Sequence, residues 1–366
     1  MPVKVCILTT VHQVFDVRIF YKQAKTLVQA GYEVTLIAQH DKDEIVDGVR
    51  IVALTKLKNR FTRIFILTWQ AFYLALNQRA DIYHFHDPEL ILIGIILRFF
   101  KKRVIYDVHE NLPKQIMDKS WLDNNQIRKF AAFIMNIIEQ IGVLLFSKII
   151  GATPDISKRF PKNKTVILRN FPILKLIDDA VPIDYMKNKP IIIYVGGLMR
   201  IRGIKEMIQA MKYMDNRTEF WLLGRWDNER FKKECENLDE WIYVKYFGFI
   251  SLEKVYRYMK IADIGISIIH PAENNLKALP NKCFEYMTCS LPMVISNFPY
   301  WKENFRDCAL FADPYDSKDI AKKILFLLSD INVMNKMGKN GRKLVVEKFS
   351  WEKESKKLLE VYKQML

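Results

Sequence analysis

The sequence predicts an α/β protein built of two successive doubly wound units. Short β-branched runs alternate with longer helical segments along nearly the whole chain. The strand-like runs are apolar throughout, as a parallel sheet buried on both faces requires. The alternation stops near residue 170 and restarts at 191, and 366 residues at about 150 per domain fit two such units.

In chain order, Val3–Thr9 reads as a strand, Arg18–Ala30 as a helix ended by Gly31, and Glu33–Ala38 and Arg50–Leu54 as strands. A helix near Arg63–Arg79, a strand at Ile82–His86, a helix from Pro88 and a strand at Arg103–Val108 follow. The first unit closes with a long helix (about Gln126–Phe146) and short strands at Lys148–Gly151 and Thr165–Arg169. Pro172, Pro182 and the polar stretch before Pro190 mark a link. Strands then recur at Ile191–Val195, Glu219–Leu223, Ile242–Phe247, Asp263–Ile268 and Met293–Ser296, with helices between them. Three helical segments end the chain. The expected domains are 1–172, a linker at 173–190, 191–348, and a last helix at 349–366. Doubly wound sheets bind ligands beyond the carboxyl ends of their strands.

Composition narrows the function. At 50% hydrophobic and 27% charged residues the chain is globular, neither disordered nor collagen-like. Five irregularly spaced cysteines without a Cys-x-x-Cys pair exclude a disulfide framework and a zinc ribbon. They fit reduced thiols in a cytoplasmic protein. No apolar run reaches the ~18 residues of a spanning helix, and the N-terminus lacks the features of a signal peptide. The formal charge of +16 points to a phosphate-bearing partner.

The richest segment follows Ile191–Val195: Gly196-Gly197-Leu198-Met199-Arg200-Ile201-Arg202-Gly203, then a helix. Glycines let backbone amides approach a ligand, and Arg200 and Arg202 are forked donors for phosphate oxygens. No Gly-Lys-Ser/Thr follows, which excludes a Walker loop. Further on, Lys282 occupies the first turn of a helix, where the dipole disfavours a cation unless an anion binds there. Glu285 lies one turn later on the same face, placed to hold a ribose diol; an ordinary exposed acid fits that spacing too.

These pieces resemble the retaining glycosyltransferases of family 4, which have the GT-B fold of two Rossmann-like domains facing across a cleft. The resemblance rests on Tyr194-Val195-Gly196-Gly197…Arg202-Gly203, Leu222-Leu223-Gly224, Tyr246-Phe247-Gly248, Ala262-Asp263-Ile264-Gly265, Leu279 to Ser296, and Phe349-Ser350-Trp351. In the first half, Asp16 to Phe20, His84 to Leu90 and Tyr106 to Glu110 look like a bacterial surface-polysaccharide branch of that family. The final helix is expected to cross back to the first domain.

The resemblance implies a retaining transfer of sugar from a nucleotide diphosphate to a glycan or polyprenyl-diphosphate-linked acceptor, with no metal or other cofactor. Donor-binding residues are then Gly197, Arg200, Arg202 and Gly224 from the first strands, and Pro280, Asn281, Lys282 and Glu285 around the later helix. Two positions depart from the family pattern. The first of a basic pair five apart is Gly197, with Arg200 standing in for it. The first of a glutamate pair eight apart is Lys277, which leaves Glu273, Asn274 or Asn275 for the sugar contact. His109 is the expected catalytic-side residue, facing the donor sugar; His12, Arg18, His86 and Glu110 are expected on the acceptor side. His84, His86 and Asp87 together raise zinc, but Asp87-Pro88 equally reads as a helix cap. Asp41-Lys42-Asp43 reads as a solvated loop.

Between Arg50 and Arg103 ten Lys/Arg, including Lys58, Arg60 and Arg63, face only three acids, with Phe61, Phe65, Trp69, Phe72, Tyr73, Phe99 and Phe100 interleaved. Two readings fit: an anionic membrane surface, peripheral on the inner face of the plasma membrane, or a helix packing its aromatics inward under a solvated rim. No nucleic-acid motif accompanies the charge. A sugar-nucleotide epimerase of the same fold and a non-catalytic nucleotide-sugar or anionic-lipid binder remain the alternatives.

Overall fold

A computed structural model describes residues 2–57, 63–117, 125–215 and 217–366. Lys58, Arg60 and Phe61 lie outside the described residues, as do the side chains of Arg63 and Asn274. Two compact units emerge: Met1–Asn170 with Lys353–Leu366, and Phe171–Glu352.

The first unit holds an eight-stranded sheet of β1 (Lys4–Gln13), β2 (Glu33–Gln39), β3 (Glu44–Val46), β4 (Val49–Leu54), β5 (Ile82–Phe85), β6 (Arg103–Val108), β7 (Lys148–Gly151) and β8 (Thr165–Ile167). Its order is β3-β4-β2-β1-β5-β6-β7-β8. All neighbours are parallel except β3 and β4, joined through Asp47 (φ 50°) and Gly48 (φ 79°), two left-handed residues that turn a tight hairpin. The sequence pattern does not foresee β3, a three-residue edge strand at the end of the charged loop.

Asp16 starts α1 (Val17–Ala24), its carboxylate accepting from the Arg18 and Ile19 amides at 2.8 and 3.0 Å. Three further helices cover one sheet face: α2 (Thr68–Gln78), α3 (Ile91–Phe99) and α4 (Asn125–Leu145). Their inward residues Ala71, Ala75, Ile91, Leu97 and Val143 share one core with Leu8, Tyr83, Phe85 and Tyr106 of the sheet. The C-terminal helix (Trp351–Lys363) joins this unit from Lys353 onward. Glu354 accepts from the Arg169 amide at 2.8 Å, and the Tyr362 hydroxyl lies 2.8 Å from His84 Nδ1.

The second unit holds six parallel strands: β9 (Ile191–Val195), β10 (Glu219–Leu223), β11 (Val244–Gly248), β12 (Ile264–Ser267), β13 (Met293–Ser296) and β14 (Ala309–Ala312), in the order β11-β10-β9-β12-β13-β14. The sequence pattern misses β14, whose Ala-Leu-Phe-Ala has no β-branched residue. Residues 173–190 pack within this unit: Ile177 is buried, and Lys187 Nζ bonds Asp263 at 2.7 Å.

The strands stay parallel, but the direction in which successive strands are added reverses between β1 and β5 in the first sheet and between β9 and β12 in the second. Crevices of doubly wound sheets open at such points, and the residues of interest lie at the strand ends beside them.

Candidate functional site

In the first unit, β1, β5 and β6 are parallel neighbours, so their carboxyl ends bring three histidines together. His12 lies late in β1, His86 follows β5 and His109 follows β6. The His12 and His109 rings are 5.1 Å apart, His109 and His86 5.3 Å, and His86 stacks on His84 at 4.7 Å. His109 Nε2 lies 3.1 Å from His86 Nδ1.

Asp107, which the sequence reading passed over, is the hub. Arg18 Nε and Nη2 donate to its carboxylate at 3.1 and 2.9 Å, and Gln23 Nε2 donates at 2.6 Å. His84, His86 and His109 each place a ring nitrogen 3.5–3.6 Å from it. Burial would push this carboxyl up, but Arg18 and then the histidines hold it well below the usual range. Arg18 itself is buried, its third donor on the Leu168 carbonyl at 2.8 Å. This corrects the expected acceptor contact: Arg18 braces the cluster from behind because its fork is already filled.

The three site histidines differ in the direction their surroundings shift them. Burial, offset in part by Asp107, pushes His109 down to about 4. Burial and neighbouring His84 hold His86 well below the usual imidazole value. On His12 burial works the same way, but the Asp16 contact and the charges of Asp87 and Asp107 outweigh it and raise its pKa. His109 keeps 20% of its side chain exposed, whereas His86 is buried behind it. Glu110 is exposed and accepts from Gln115.

Asp87 caps no helix with its side chain; its Oδ2 instead accepts from Thr9 Oγ1 at 2.8 Å, Thr10 N at 2.6 Å and Val11 N at 3.1 Å, fixing the end of β1. The carboxylate beside the two histidines is therefore Asp107. His84, His86 and Asp107 place one ligand atom each within 4.8 Å of one another.

In the second unit the site forms where β9 and β10 end. Gly196 has φ 133°, a conformation L side chains rarely adopt. A Cβ on Gly224 would meet the Gly196 carbonyl oxygen at 1.8 Å, so these strand ends approach as only glycine allows. Gly197 opens outward, its carbonyl accepting from the Tyr194 hydroxyl at 2.9 Å.

Lys282, the second residue of α6 (Asn281–Thr288; α5 is Ile204–Ala210), points back under this turn. Its ammonium is 3.6 Å from the Tyr194 ring centre, and a Cβ on Gly196 would stand 3.0 Å from it. The side chain is 7% exposed, and Nζ has no hydrogen-bond partner among the described residues. Burial and then the charge of Arg202 press its pKa well below the usual lysine value. No side chain caps α6 at Pro280. Glu285, one turn on, accepts from the Tyr256 hydroxyl at 3.4 Å.

Arg200 is a correction. Its guanidinium pairs with Glu234 (Nη1 at 3.1 Å) and stacks over Phe231 at 4.5 Å, on the exposed side. Glu234, drawn down to about 2 by Arg200 and Lys205, holds it there. Arg200 therefore does not stand in for the missing basic residue; the buried Lys282 lies beside Arg202 instead. Of the candidates for the missing glutamate, Glu273 pairs with Lys277 at 3.2 Å, and Asn275 Nδ2 donates to the His270 carbonyl at 3.1 Å. Sequence reasoning also missed His270, whose Nε2 lies 3.2 Å from Glu206 Oε1 in the loop after β12.

Comparison with known proteins agrees with this architecture. Residues 182–344 match the family described as glycosyl transferases group 1, and residues 17–159 match glycosyltransferase family 4. The chain is 22% identical to an uncharacterized glycosyltransferase of Methanocaldococcus jannaschii, with 93% of this chain and 92% of that protein covered. It is 21% identical to the capsular polysaccharide biosynthesis glycosyltransferase CapM of Staphylococcus aureus, covering 92% and 88%. Among solved structures, the sucrose-phosphate synthase of Thermosynechococcus elongatus aligns with a TM-score of 0.77 at 18% identity over 99% of both chains. HepE of Anabaena, in complex with UDP and glucose, aligns at 0.71 and 12% identity over 99% of this chain and 100% of that one. With two Rossmann-like units and both halves matched, the chain belongs to the family 4 glycosyltransferases of the GT-B fold.

Proposed function

We propose that this glycosyltransferase transfers, with retention of configuration, a hexose from a nucleotide diphosphate to a glycan or polyprenyl-diphosphate-linked acceptor in polysaccharide assembly. The observation that carries the donor half is the Lys282 amine, buried with no hydrogen-bond partner among the described residues, within the field of Arg202 and under the Gly196–Gly197 turn. Burial without a counter-charge penalises the protonated amine, in line with its lowered pKa, and a diphosphate would supply the charge that restores it. Solved relatives of this fold hold UDP, UDP-glucose or UDP-2-fluoro glucose, and CapM is named for capsular polysaccharide biosynthesis; both support the class of donor and acceptor.

In this reading Arg202, Lys282 and the amides of the Gly196–Gly197 turn bind the diphosphate, with Gly224, Pro280 and Asn281 around it, and Glu285 holds the ribose. As the glycosidic bond breaks, negative charge grows on the leaving phosphate oxygen, and fixed cations stabilise it. That oxygen takes the proton of the attacking acceptor hydroxyl on the same face, so no protein base is needed. His109 contacts the transferred sugar as a neutral ring. His12, His86 and Glu110 form the acceptor side, with His86 acting through His109 because it is buried. No metal enters the proposal: Arg18 already neutralises Asp107.

The test incubates the protein with a panel of nucleotide sugars and lipid-diphosphate-linked or glycan acceptors. The product's anomeric proton coupling is then read by NMR. An α-linked product from an α-donor supports the reading. An inverted product overturns retention, an epimerised donor favours an epimerase, and binding without turnover leaves a sugar-nucleotide receptor.

A further inference from the structure

We propose that α2, α3 and α4 form a docking face for an anionic lipid surface, with α4 lying in the plane of the interface. The core these helices share on one side of the sheet turns their outer faces to the same side. On α4 the exposed large side chains recur at Ile127, Phe130, Ile134, Ile137, Ile141 and Leu144, the spacing of one continuous helical stripe. Phe130 is 67% and Leu144 70% exposed. α3, which packs against α4, exposes Phe99, and α2 exposes Trp69 and Tyr73. Contiguous apolar surface of this extent is rare on a face that meets only water.

Charge decides the occupant. Residues 63–78, 91–99 and 125–145 contain one acid, Glu139. It is buried on the opposite side of α4, bonded by Arg159 and the Tyr106 hydroxyl. Among the described residues of these three helices the outward positions thus carry no carboxylate, while Lys129 within α4 and Lys101 after α3 are exposed. A second copy docked symmetrically would bring two such sets of helices together, lysine against lysine with no outward carboxylate among their described residues. Anionic headgroups would neutralise these lysines while the stripe enters the acyl boundary. At 21 residues α4 is ~31 Å long, and no helix among the described residues is long and apolar enough to cross a membrane.

The helix thereby answers the two readings of the basic segment in favour of the interface, and adds a face that segment did not include: α4 lies outside it. The proposal deepens the lipid-linked acceptor reading above, but its test involves no turnover, so the two fail separately.

Flotation of the full chain with vesicles of phosphatidylcholine alone, or with about 30 mol% phosphatidylglycerol, reads binding directly. We expect at least tenfold stronger partition onto the anionic vesicles, lost in Phe130→Ser/Phe133→Ser and cut severalfold in Lys101→Glu/Lys129→Glu. All four positions are exposed or outward-facing, so thermal melts of both variants should match the parent. Equal, negligible partition onto both vesicles would overturn the proposal. So would a soluble dimer, seen by light scattering, that the Phe130→Ser/Phe133→Ser variant dissociates.

Discussion

The Lys282 ammonium sits over the Tyr194 ring at 3.6 Å with no hydrogen-bond partner of its own among the described residues. The ring face offers some compensation, but far less than a phosphate would. Lys282→Met should therefore separate two quantities. Nucleoside diphosphate affinity should fall about 10–100-fold, 1.4–2.8 kcal/mol, by titration calorimetry. The ligand-free protein should melt higher, by ~2–4 °C for each kcal/mol of relieved charge burial. A variant that melts lower and binds as before would place the lysine in a purely structural role.

Arg200 and Arg202 stand two residues apart and should behave oppositely. Arg200 is committed to Glu234 on the surface, so Arg200→Ala should change diphosphate affinity by less than about threefold, as exposed ion pairs contribute little. Arg202→Ala removes a cation whose charge bears directly on Lys282, and should weaken binding about tenfold or more. The same calorimetry checks both; equal losses would return Arg200 to the donor site.

His109 titrates at about 4 in the folded chain, against about 6.5 for a free imidazole. Its folded pKa is depressed, so its contribution to folding is complete above pH 6.5 and is lost as the pH falls toward 4. Full loss is about 3 kcal/mol. His86 has the same sign; His12, raised in the fold, has the opposite one, contributing below its unfolded pKa and fading as the pH rises. Urea unfolding from pH 7 to 4 should therefore show a shallower loss in His109→Gln than in the parent. Parallel curves would remove the buried neutral imidazole.

Much of this was legible in the chain. Apolar runs gave most of the parallel strands, because burial on both faces leaves a plain signature. Gly196, Gly197 and Lys282 stood out because their residue types conflict with ordinary turns and helix starts. What stayed hidden was pairing across distance. Arg200 and Arg202 look equivalent in sequence, and only Glu234, 34 residues on, distinguishes them. Asp107 reads as an ordinary strand-end residue until Arg18, 89 residues earlier, is folded against it. The α4 stripe was also missed, since an apolar helix reads as core until the side it buries is known.

Gly224 tests the backbone geometry of the donor side. A Cβ there would lie 1.8 Å from the Gly196 carbonyl oxygen, a backbone atom that cannot swing aside. Gly224→Ala must push β9 and β10 apart at their ends, and should cost ~2–4 kcal/mol by denaturant unfolding. The matching change at Gly197, where the nearest atom is 3.7 Å away, should cost under about 1 kcal/mol.

The Arg18–Asp107 pair allows the sharpest separation of structure from catalysis. Both side chains are buried, and the guanidinium grips the carboxylate with two donors. Removing one partner strands the other charge, so Arg18→Met and Asp107→Asn should each destabilise by about 3–5 kcal/mol. The double variant should cost clearly less than the sum, since neither orphan charge remains. Asp107 also favours the protonated form of His109, while Arg18 opposes it. Arg18→Met should therefore raise the His109 pKa and Asp107→Asn should lower it, read from ring-proton shifts by NMR. If both variants move it the same way, or the stability losses simply add, the pair does not govern the histidine cluster.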